Sequence, residues 1–550
     1  MALRYWITGG TGNYNSTTNW SASSGGASGA SVPTTADDVT WDANSGAGTV
    51  VINVASVAKS INFTNFTGTV DFQNTLAVAG SMTLGIGMSF ANTTGTPVLR
   101  VTAAATLTSN GVVFPYDFSV LTSNVVITLT DDWECNNFTH DVGTSNATFN
   151  GNNFFINGNL TNLNTIRYIT GTTVFVMQGT GSISTSFSSG NQYITVSNLT
   201  INTSGTITFA TDVGGLNGVW TYTSGTVITT GITLRLRGIF DFNGILFENI
   251  DIPQISGSTF LSDLVYTNTF TTVSSSSSLT LNGASIRHIG LSGGITNLIG
   301  NSGGNTGLQG TTILSFEGSG SLDSGGSSGN IGIPITVNTI GTYTLNAITS
   351  ICRSTFTYTS GTIDFSTIEI RLQQNSTITT FNGISSLNFN LLTIGTSQNN
   401  VFIVLNDIMY VNTIDCSNTG GTPALTTNSF SGTSPFVCNT LNIGGGRGQT
   451  IELKDGLNYQ VNTKLETYPS NLSLSQYRLL PLTQPIIKST VNGLKTNITL
   501  DYGASQELMY LQFKDINASN GQTLWVFGST ATVTDCENIN TFTQPKAVGF

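Results

Sequence analysis

Residues 171–175 (Gly-Thr-Thr-Val-Phe) recur as residues 310–314 (Gly-Thr-Thr-Ile-Leu), so one stretch of this chain occurs twice. Residues 178–183 (QGTGSI) recur in the same way as residues 317–322 (EGSGSL), at the same offset of 139 positions (317 − 178). In both copies β-branched and aromatic residues stand beside Gly, Ser and Thr, a pattern typical of short strands between turns. The repeat therefore indicates a duplicated β-structure.

The duplicated block keeps its strands while its loops change length. Three further matches extend it: residues 199–203 with 335–339, 222–226 with 358–362, and 242–245 with 381–384. The offset is 136 for the first two matches (335 − 199) and 139 again for the third (381 − 242). Surface loops vary in length while repeated strands keep their register, so we interpret the change of three residues as a loop difference.

The composition predicts a folded chain with almost no helix. Charged residues are 8% of the chain, against roughly 25% in ordinary globular proteins, and there are 62 glycines among 550 residues. The residues that favour exposed helix faces are scarce, whereas Thr, Val, Ile and Phe favour strands. Apolar residues make up 38% and alternate with polar ones in short runs, a pattern that disordered chains lack.

The length of the repeat favours a solenoid over separate sandwiches. If the 139-residue repeat holds about six coils, each coil has ~23 residues, which lies within the range of solenoid repeats. A chain of β-sandwiches would instead show units of ~100 residues with separate cores. Because the duplication slips without losing its strands, we expect an all-β fold built as a right-handed parallel β-helix.

Three segments are predicted along the chain. Residues 1–48 are glycine-rich and are expected to form an N-terminal cap, because the end of a stacked β-array exposes unpaired backbone and apolar side chains. Residues 49–465 read as the β-helix. Residues 466–550 begin with a change of texture, containing Pro469, Pro481 and Pro485, and are expected to form a β-rich C-terminal cap or tip.

The three tryptophans of the N-terminal segment have two interpretations. Trp6, Trp20 and Trp41 are half of the six tryptophans in the chain and would fill the end of the β-helix. Alternatively, Trp20 and Trp41, together with Trp133 further along, would present their rings to carbohydrate. The sequence favours the cap, since an open end of a solenoid needs large apolar side chains to cover it.

Charge and hydropathy exclude several classes of function. The net charge is −11 and the pI is near 4.5, with no basic cluster, so we expect no nucleic-acid binding. No run approaches the ~20 apolar residues of a membrane-spanning helix, and the start has no signal-peptide pattern. The five cysteines lack CxxC spacing and are expected to be free thiols in a chain made in a reducing cytoplasm.

No metal or cofactor site is predicted. The two histidines, His140 and His288, have no acidic or cysteine neighbours at metal-ligand spacing. The chain has no Gly-x-Ser-x-Gly elbow, and its glycine-rich runs lack the Lys-Ser/Thr ending of a phosphate-binding loop. We therefore expect neither a metal, nor a cofactor, nor a Ser-His-Asp triad.

A recurring phrase, Leu-x-Asp, follows strands at three places. Its aspartates are Asp131, Asp407 and Asp455. An aspartate at a turn accepts hydrogen bonds from nearby backbone N–H groups. We therefore expect these three carboxylates to hold corners of the β-helix.

The densest acidic cluster is the one place where catalysis is considered. Asp131, Asp132 and Glu134 surround Trp133, and glycosidases use two carboxylates ~5–9.5 Å apart to cleave polysaccharide. A second acidic group, Asp37 and Asp38, lies near Trp41. The Leu-x-Asp phrase already accounts for Asp131, and carboxylates ordinarily face solvent, so the sequence favours a protein that is not an enzyme.

The ends of the chain resemble β-helical structural proteins of tailed bacteriophages, and similar openings occur on the passenger segments of bacterial surface adhesins. The resemblance rests on residues 9–12 (GGTG), 19–21 (NWS), 25–26 (GG), Pro33, 37–42 (DDVTWD) and 510–519 (YLQFKDINAS), followed by Gly521 and Trp525. No catalytic residues carry over from these proteins.

The resemblance implies a virion component, assembled in the host cytoplasm, of the tail fibre or spike type that attaches to the host surface. Its expected partners are other virion proteins and a polysaccharide or protein receptor on the host cell, and such proteins usually associate as homotrimers. Two alternatives remain at this point: a capsid decoration or head fibre protein, and a depolymerase spike that uses paired carboxylates. A secreted adhesin is disfavoured by the missing signal sequence.

Overall fold

The computed structural model describes most of the chain, and the statements below concern the residues it describes. Residues outside the described set are 1, 92–94, 123, 142–145, 164–168, 186–195, 215–217, 237, 253–257, 273–278, 293, 297–306, 324–329, 347–348, 352–353, 366–368, 373–376, 395–399, 417–426, 444–448, 468–483, 528–532 and 543–550. Cys352, Pro469 and Pro481 lie among them. The predicted boundary near residue 466 therefore falls beside residues outside the described set and stays a prediction.

The fold is an all-β parallel solenoid, as the sequence predicts. Only 2% of the chain is helical, and parallel strands stack in about 17 turns. By its internal contacts the chain divides into two compact units, residues 1–253 with 258–264 (unit 1) and residues 254–257 with 265–550 (unit 2). The described helices are three short 3-10 turns, Thr17–Asn19, Ala43–Ser45 and Ile384–Ser386.

Unit 1 begins with a cap in which one strand runs against the others. Leu3–Trp6 pairs antiparallel with Trp20–Ser21 and parallel with Asp38–Thr40. The rings of Trp6 and Trp20 meet edge to face with centroids 5.1 Å apart, and Trp41 stacks on Phe63 of the next coil at 4.3 Å. All three tryptophans are fully buried. The predicted cap is confirmed: large rings cover the end that a stack of strands would otherwise expose.

The coils of unit 1 repeat at close to the predicted length. Leu160 pairs with Phe138, 22 residues earlier, and Ile183 pairs with Leu160, 23 residues earlier. One stack consists of Val98–Val101, Asp117–Val120, Phe138–His140, Leu160–Asn162 and Gly181–Thr185. A second consists of Trp133–Cys135, Phe154–Ile156, Ile169–Met177, Val196–Phe209, Gly218–Ile228 and Gly238–Asp241.

Aromatic residues fill much of the interior of unit 1. Phe154 stacks on Phe175 with centroids 5.3 Å apart, and Phe118 stacks on Phe138 at 6.0 Å. In-register coils place like side chains above one another, so each ring covers the next and little room is left for water. Neighbouring positions such as Thr139 point outward, which explains the alternation of apolar and hydroxyl residues in the sequence.

Unit 2 repeats this construction. One stack consists of Glu369–Leu372, Asn388–Ile394, Met409–Asp415, Phe436–Asn442, Asn458–Glu466 and Thr496–Leu500. Another consists of Thr355–Asp364, Thr377–Asn382, Val401–Leu405, Thr427–Gly432, Thr450–Leu453, Ile486–Ser489 and Gln512–Lys514. All their mutual pairings are parallel.

The last coils continue as parallel strands. Ser505–Met509, Leu524–Phe527 and Ile539–Phe542 stack in that order. The sequence suggests one strand over residues 509–513. The structure divides it, because Tyr510 has a left-handed backbone with φ of 54° and the chain turns a corner there.

The duplicated block has the same local hydrogen bonds in each unit. In unit 1 the Tyr222 hydroxyl donates to the Gly225 carbonyl at 2.7 Å, and in unit 2 the Tyr358 hydroxyl donates to the Gly361 carbonyl at 2.7 Å. The preceding serines donate to an asparagine of the previous coil, each at 2.9 Å. The sequence repeat is therefore a structural repeat, down to the side chains that hold its bends.

Candidate functional site

Two of the three Leu-x-Asp phrases bind backbone at a corner, as predicted. Asp131 accepts hydrogen bonds from the backbone N–H groups of Ser109 and Asn110, at 2.7 and 2.6 Å. Asp407 likewise accepts from the backbone N–H of Gly383. These carboxylates hold the corner of the preceding coil, where a tight bend leaves N–H groups without strand partners.

The third phrase binds side chains instead. Asp455 accepts from the Lys454 ammonium at 2.5 Å and from the Thr490 hydroxyl at 3.1 Å. The phrase therefore identifies a corner carboxylate in each case, but it does not determine whether backbone or side chain supplies the donor.

The other acids of the predicted catalytic cluster also bind within the solenoid. Asp132 accepts from the backbone N–H of Asn153 at 3.0 Å, and Glu134 accepts from the Asn157 side-chain amide at 2.7 Å. Asp131 is held by the preceding coil, whereas Asp132 and Glu134 are held by the following one. The arrangement stabilises neighbouring coils and is explained without a bound sugar.

The three tryptophans considered for carbohydrate binding have no exposed ring surface. Trp20, Trp41 and Trp133 are all fully buried. The Trp20 indole donates to the Tyr14 carbonyl at 2.7 Å, and Trp133 packs against Phe114 with centroids 5.8 Å apart. The binding role considered for them is therefore corrected to packing, because a ring without an exposed face cannot stack on a sugar.

Replacing Asp131 with alanine is expected to destabilise unit 1 by about 2 kcal/mol, because two corner N–H groups lose a charged acceptor. Asp131→Asn should destabilise it less, since an amide oxygen still accepts a hydrogen bond. Thermal unfolding of both variants measures the difference. The matched control is Asp263→Ala, an acid elsewhere in unit 1. Equal melting temperatures for wild type and Asp131→Ala would contradict the corner role.

Both histidines are buried in the interior. His140 makes a 3.0 Å hydrogen bond through Nδ1 to Asn162, and His288 bonds through Nε2 to the Ser292 carbonyl at 3.2 Å and through Nδ1 to the Tyr343 hydroxyl. Among the described residues, no group of three or more His, Cys, Asp or Glu side chains could hold a metal ion.

Acid is expected to destabilise the protein through these two histidines. Burial lowers the pKa of His140, opposed by its bond to Asn162 and by Asp141, and burial likewise lowers the pKa of His288. The unfolded chain therefore binds protons that the folded chain does not, so this stabilisation is full above about pH 6.5 and is lost as the pH falls below it.

Thermal unfolding between pH 7.5 and 5 measures this effect. We expect the melting temperature to fall with pH in the wild type and to fall less in His140→Gln, which keeps a side chain able to bond to Asn162. The comparison with the variant separates the histidine from carboxylates that titrate lower. Parallel pH curves for the two proteins would contradict the assignment.

Sequence reasoning missed a chain of asparagines on the outside of unit 2. The Asn412 amide donates to Asn390 at 3.4 Å, Asn439 donates to Asn412 at 3.0 Å, and Asn462 donates to Asn439 at 3.3 Å. We call these four residues the amide track. Their spacings of 22, 27 and 23 residues are unequal, because loops of different length separate the coils, so no fixed period reveals them.

Two columns of side chains flank the amide track. On one side Tyr410, 37% exposed, lies in register with Asn388 and Val437 of the adjacent coils. On the other side, beyond a row that contains Thr440 and Lys464, is a row of Asp415, Asn442, Glu466 and Glu507. The track therefore lies between an exposed aromatic ring and a predominantly acidic row.

The comparisons with known proteins do not name the chain. No protein-family model, curated protein or solved structure matches it. Within the part of the chain that the structure describes, no helix has the length and apolar character needed to cross a membrane.

Proposed function

We propose that the protein is a virion structural component of a tailed bacteriophage, an appendage of the tail fibre or spike type that attaches to the host surface and is not an enzyme. The observation that carries the proposal is the parallel β-solenoid of each unit, combined with a predicted catalytic cluster whose acids all hold neighbouring coils together. The resemblance of the chain ends to phage proteins supports it.

A solenoid suits an attachment role because every coil is held to the next by a row of backbone hydrogen bonds. Its stability grows coil by coil, so such a unit presents a long, rigid surface without needing a large globular core. Rigid surfaces lose little conformational entropy on binding. The exposed polar faces are compatible with contact to hydrated cell-surface material.

The proposal includes partners and an assembly. The protein joins other virion proteins in the host cytoplasm and, in the particle, contacts a polysaccharide or protein receptor of the host. Three copies associate about a common axis, which closed symmetry permits. The low charge content supports this, since uncharged flanks pack together at little desolvation cost.

The test follows cell binding and polymer length in one experiment. Purified protein is incubated with a panel of bacteria and with polysaccharide extracted from them. Binding to cells with the polymer intact supports a non-enzymatic attachment protein. Shortened polymer would make it a depolymerase, with Asp131, Asp132 and Glu134 as the first variants. Absence of binding to every strain would contradict attachment and would favour a capsid decoration protein.

A further inference from the structure

The amide track presents a regular array of unused hydrogen-bonding groups. An asparagine side chain has two N–H donors and an oxygen with two acceptor positions. In Asn412 and Asn439 one donor and one acceptor position are used within the track, and among the described residues nothing else bonds to them. Each therefore offers solvent one donor and one acceptor.

The track also fixes where those groups point. Each amide is held at both ends by the coil before and the coil after, so it cannot rotate without breaking a hydrogen bond. Coils of a parallel stack are ~4.8 Å apart, so equivalent donors and acceptors repeat along the track at that interval. Groups held in place before a ligand arrives lose little entropy on binding.

The flanking rows limit the chemistry of the ligand. The partially exposed Tyr410 offers a ring face on which an apolar face of a sugar can pack. Glu466 and Glu507 occupy successive positions of the acidic row and would repel a polymer that carries carboxylates, sulfates or phosphates. Lys464 lies 2.5 Å from Glu466, so its charge is already paired.

We propose that the amide track of unit 2 is the binding site for a neutral polysaccharide lying along the coils. Sugar hydroxyls donate and accept hydrogen bonds at once, which matches one free donor and one free acceptor for each of Asn412 and Asn439. The inference rests on the proposed attachment function and identifies the surface and the ligand class. A protein receptor fits less well, since the face lacks the cluster of buried aromatic anchors that such interfaces use.

The experiment uses the full chain and a bacterial strain to which the wild type binds. Polysaccharide extracted from that strain is separated by anion exchange into a neutral and an acidic fraction, and binding to each is measured. The track variant is Asn412→Leu with Asn439→Leu, which replaces exposed amides by side chains of similar size without hydrogen-bonding groups. The matched control is Asn406→Leu, which removes the 2.8 Å amide pair with Asn382 at a different corner of unit 2.

We expect the wild type and the control to bind the neutral fraction, and the track variant to bind it at least tenfold more weakly with an unchanged melting temperature. Binding only to the acidic fraction, or equal affinity of the track variant and the wild type, would overturn the track while leaving cell attachment intact. If the wild type binds no strain, the proposed function itself fails. The two failures are therefore distinguishable.

A conservative variant tests whether the track acts through its donors. Asn439→Asp keeps the shape of the side chain and replaces two donors by acceptors. It should weaken binding to the neutral fraction as much as the leucine variant does, because it breaks the donation to Asn412 and adds a negative charge beside the ligand. Undiminished binding by this variant would overturn the proposal.

Discussion

Replacing Gly171 with alanine is expected to destabilise unit 1 by about 3 kcal/mol, one of the two largest effects foreseen here. Gly171 has φ of 112°, and a Cβ atom on it would lie 1.9 Å from the carbonyl oxygen of Phe149 in the preceding coil. The backbone would have to move away from that coil and weaken the hydrogen bonds that hold the stack. Its duplicate Gly310 has φ of 116° and the same 1.9 Å conflict with Leu281, so Gly310→Ala should affect unit 2 equally.

The control for this prediction is Gly244→Ala. Gly244 also has a left-handed backbone, with φ of 86°, but nothing lies within 4 Å of the place where a Cβ would be. The substitution therefore carries the backbone strain alone, about 1 kcal/mol. Thermal unfolding of the two variants separates strain from steric conflict. Similar melting temperatures for Gly171→Ala and Gly244→Ala would show that the close approach of the coils is not what requires glycine.

Truncating Trp41 to alanine is expected to destabilise the N-terminal cap by about 4 kcal/mol, the range of large-to-small changes at a buried tryptophan. The Trp41 ring contacts Trp6 and Trp20 of the cap and stacks on Phe63 of the first full coil, so its loss leaves a cavity between cap and coil. We expect the cap to open before the remainder of unit 1. Limited proteolysis should then cleave the variant within residues 1–48 under conditions in which the wild type stays intact.

Leu3→Ala is the matched control for the cap. Leu3 lies on the same strand as Trp6 but is 50% exposed, so its truncation should change the melting temperature little. If Trp41→Ala resists protease as the wild type and Leu3→Ala do, the tryptophans are not what holds the cap.

The features that could be predicted from the sequence depend on local patterns. The Leu-x-Asp phrase was sufficient to predict the backbone contacts of Asp131, because an aspartate after a strand has N–H groups of a corner within reach. The duplicated block predicted repeated coils, and the Tyr222 and Tyr358 bonds show that the match extends to side chains. The predicted cap was right for the same reason, since an open stack needs large apolar side chains at its end.

The candidate site could not be predicted in the same way. Asn412 and Asn439 are 27 residues apart and Asn439 and Asn462 are 23 apart, so their alignment depends on how much chain the intervening corners take up. The sequence also offered Trp133 as a surface ring. It is buried because its strand places it in register with Phe154, inside the aromatic stack, and register across coils is a long-range property.

The sequence by itself determined the all-β class, the coil length, the duplicated block and the corner aspartates, because alternation of side chains and turn chemistry act over a few residues. The tertiary structure alone decided which side chains lie next to one another on the faces of each unit. That includes the amide track, the burial of all three candidate tryptophans and the partners of each acid in the predicted catalytic cluster. Neighbours on a solenoid face belong to successive coils, and loops of variable length set their alignment, so only the folded stack brings them together.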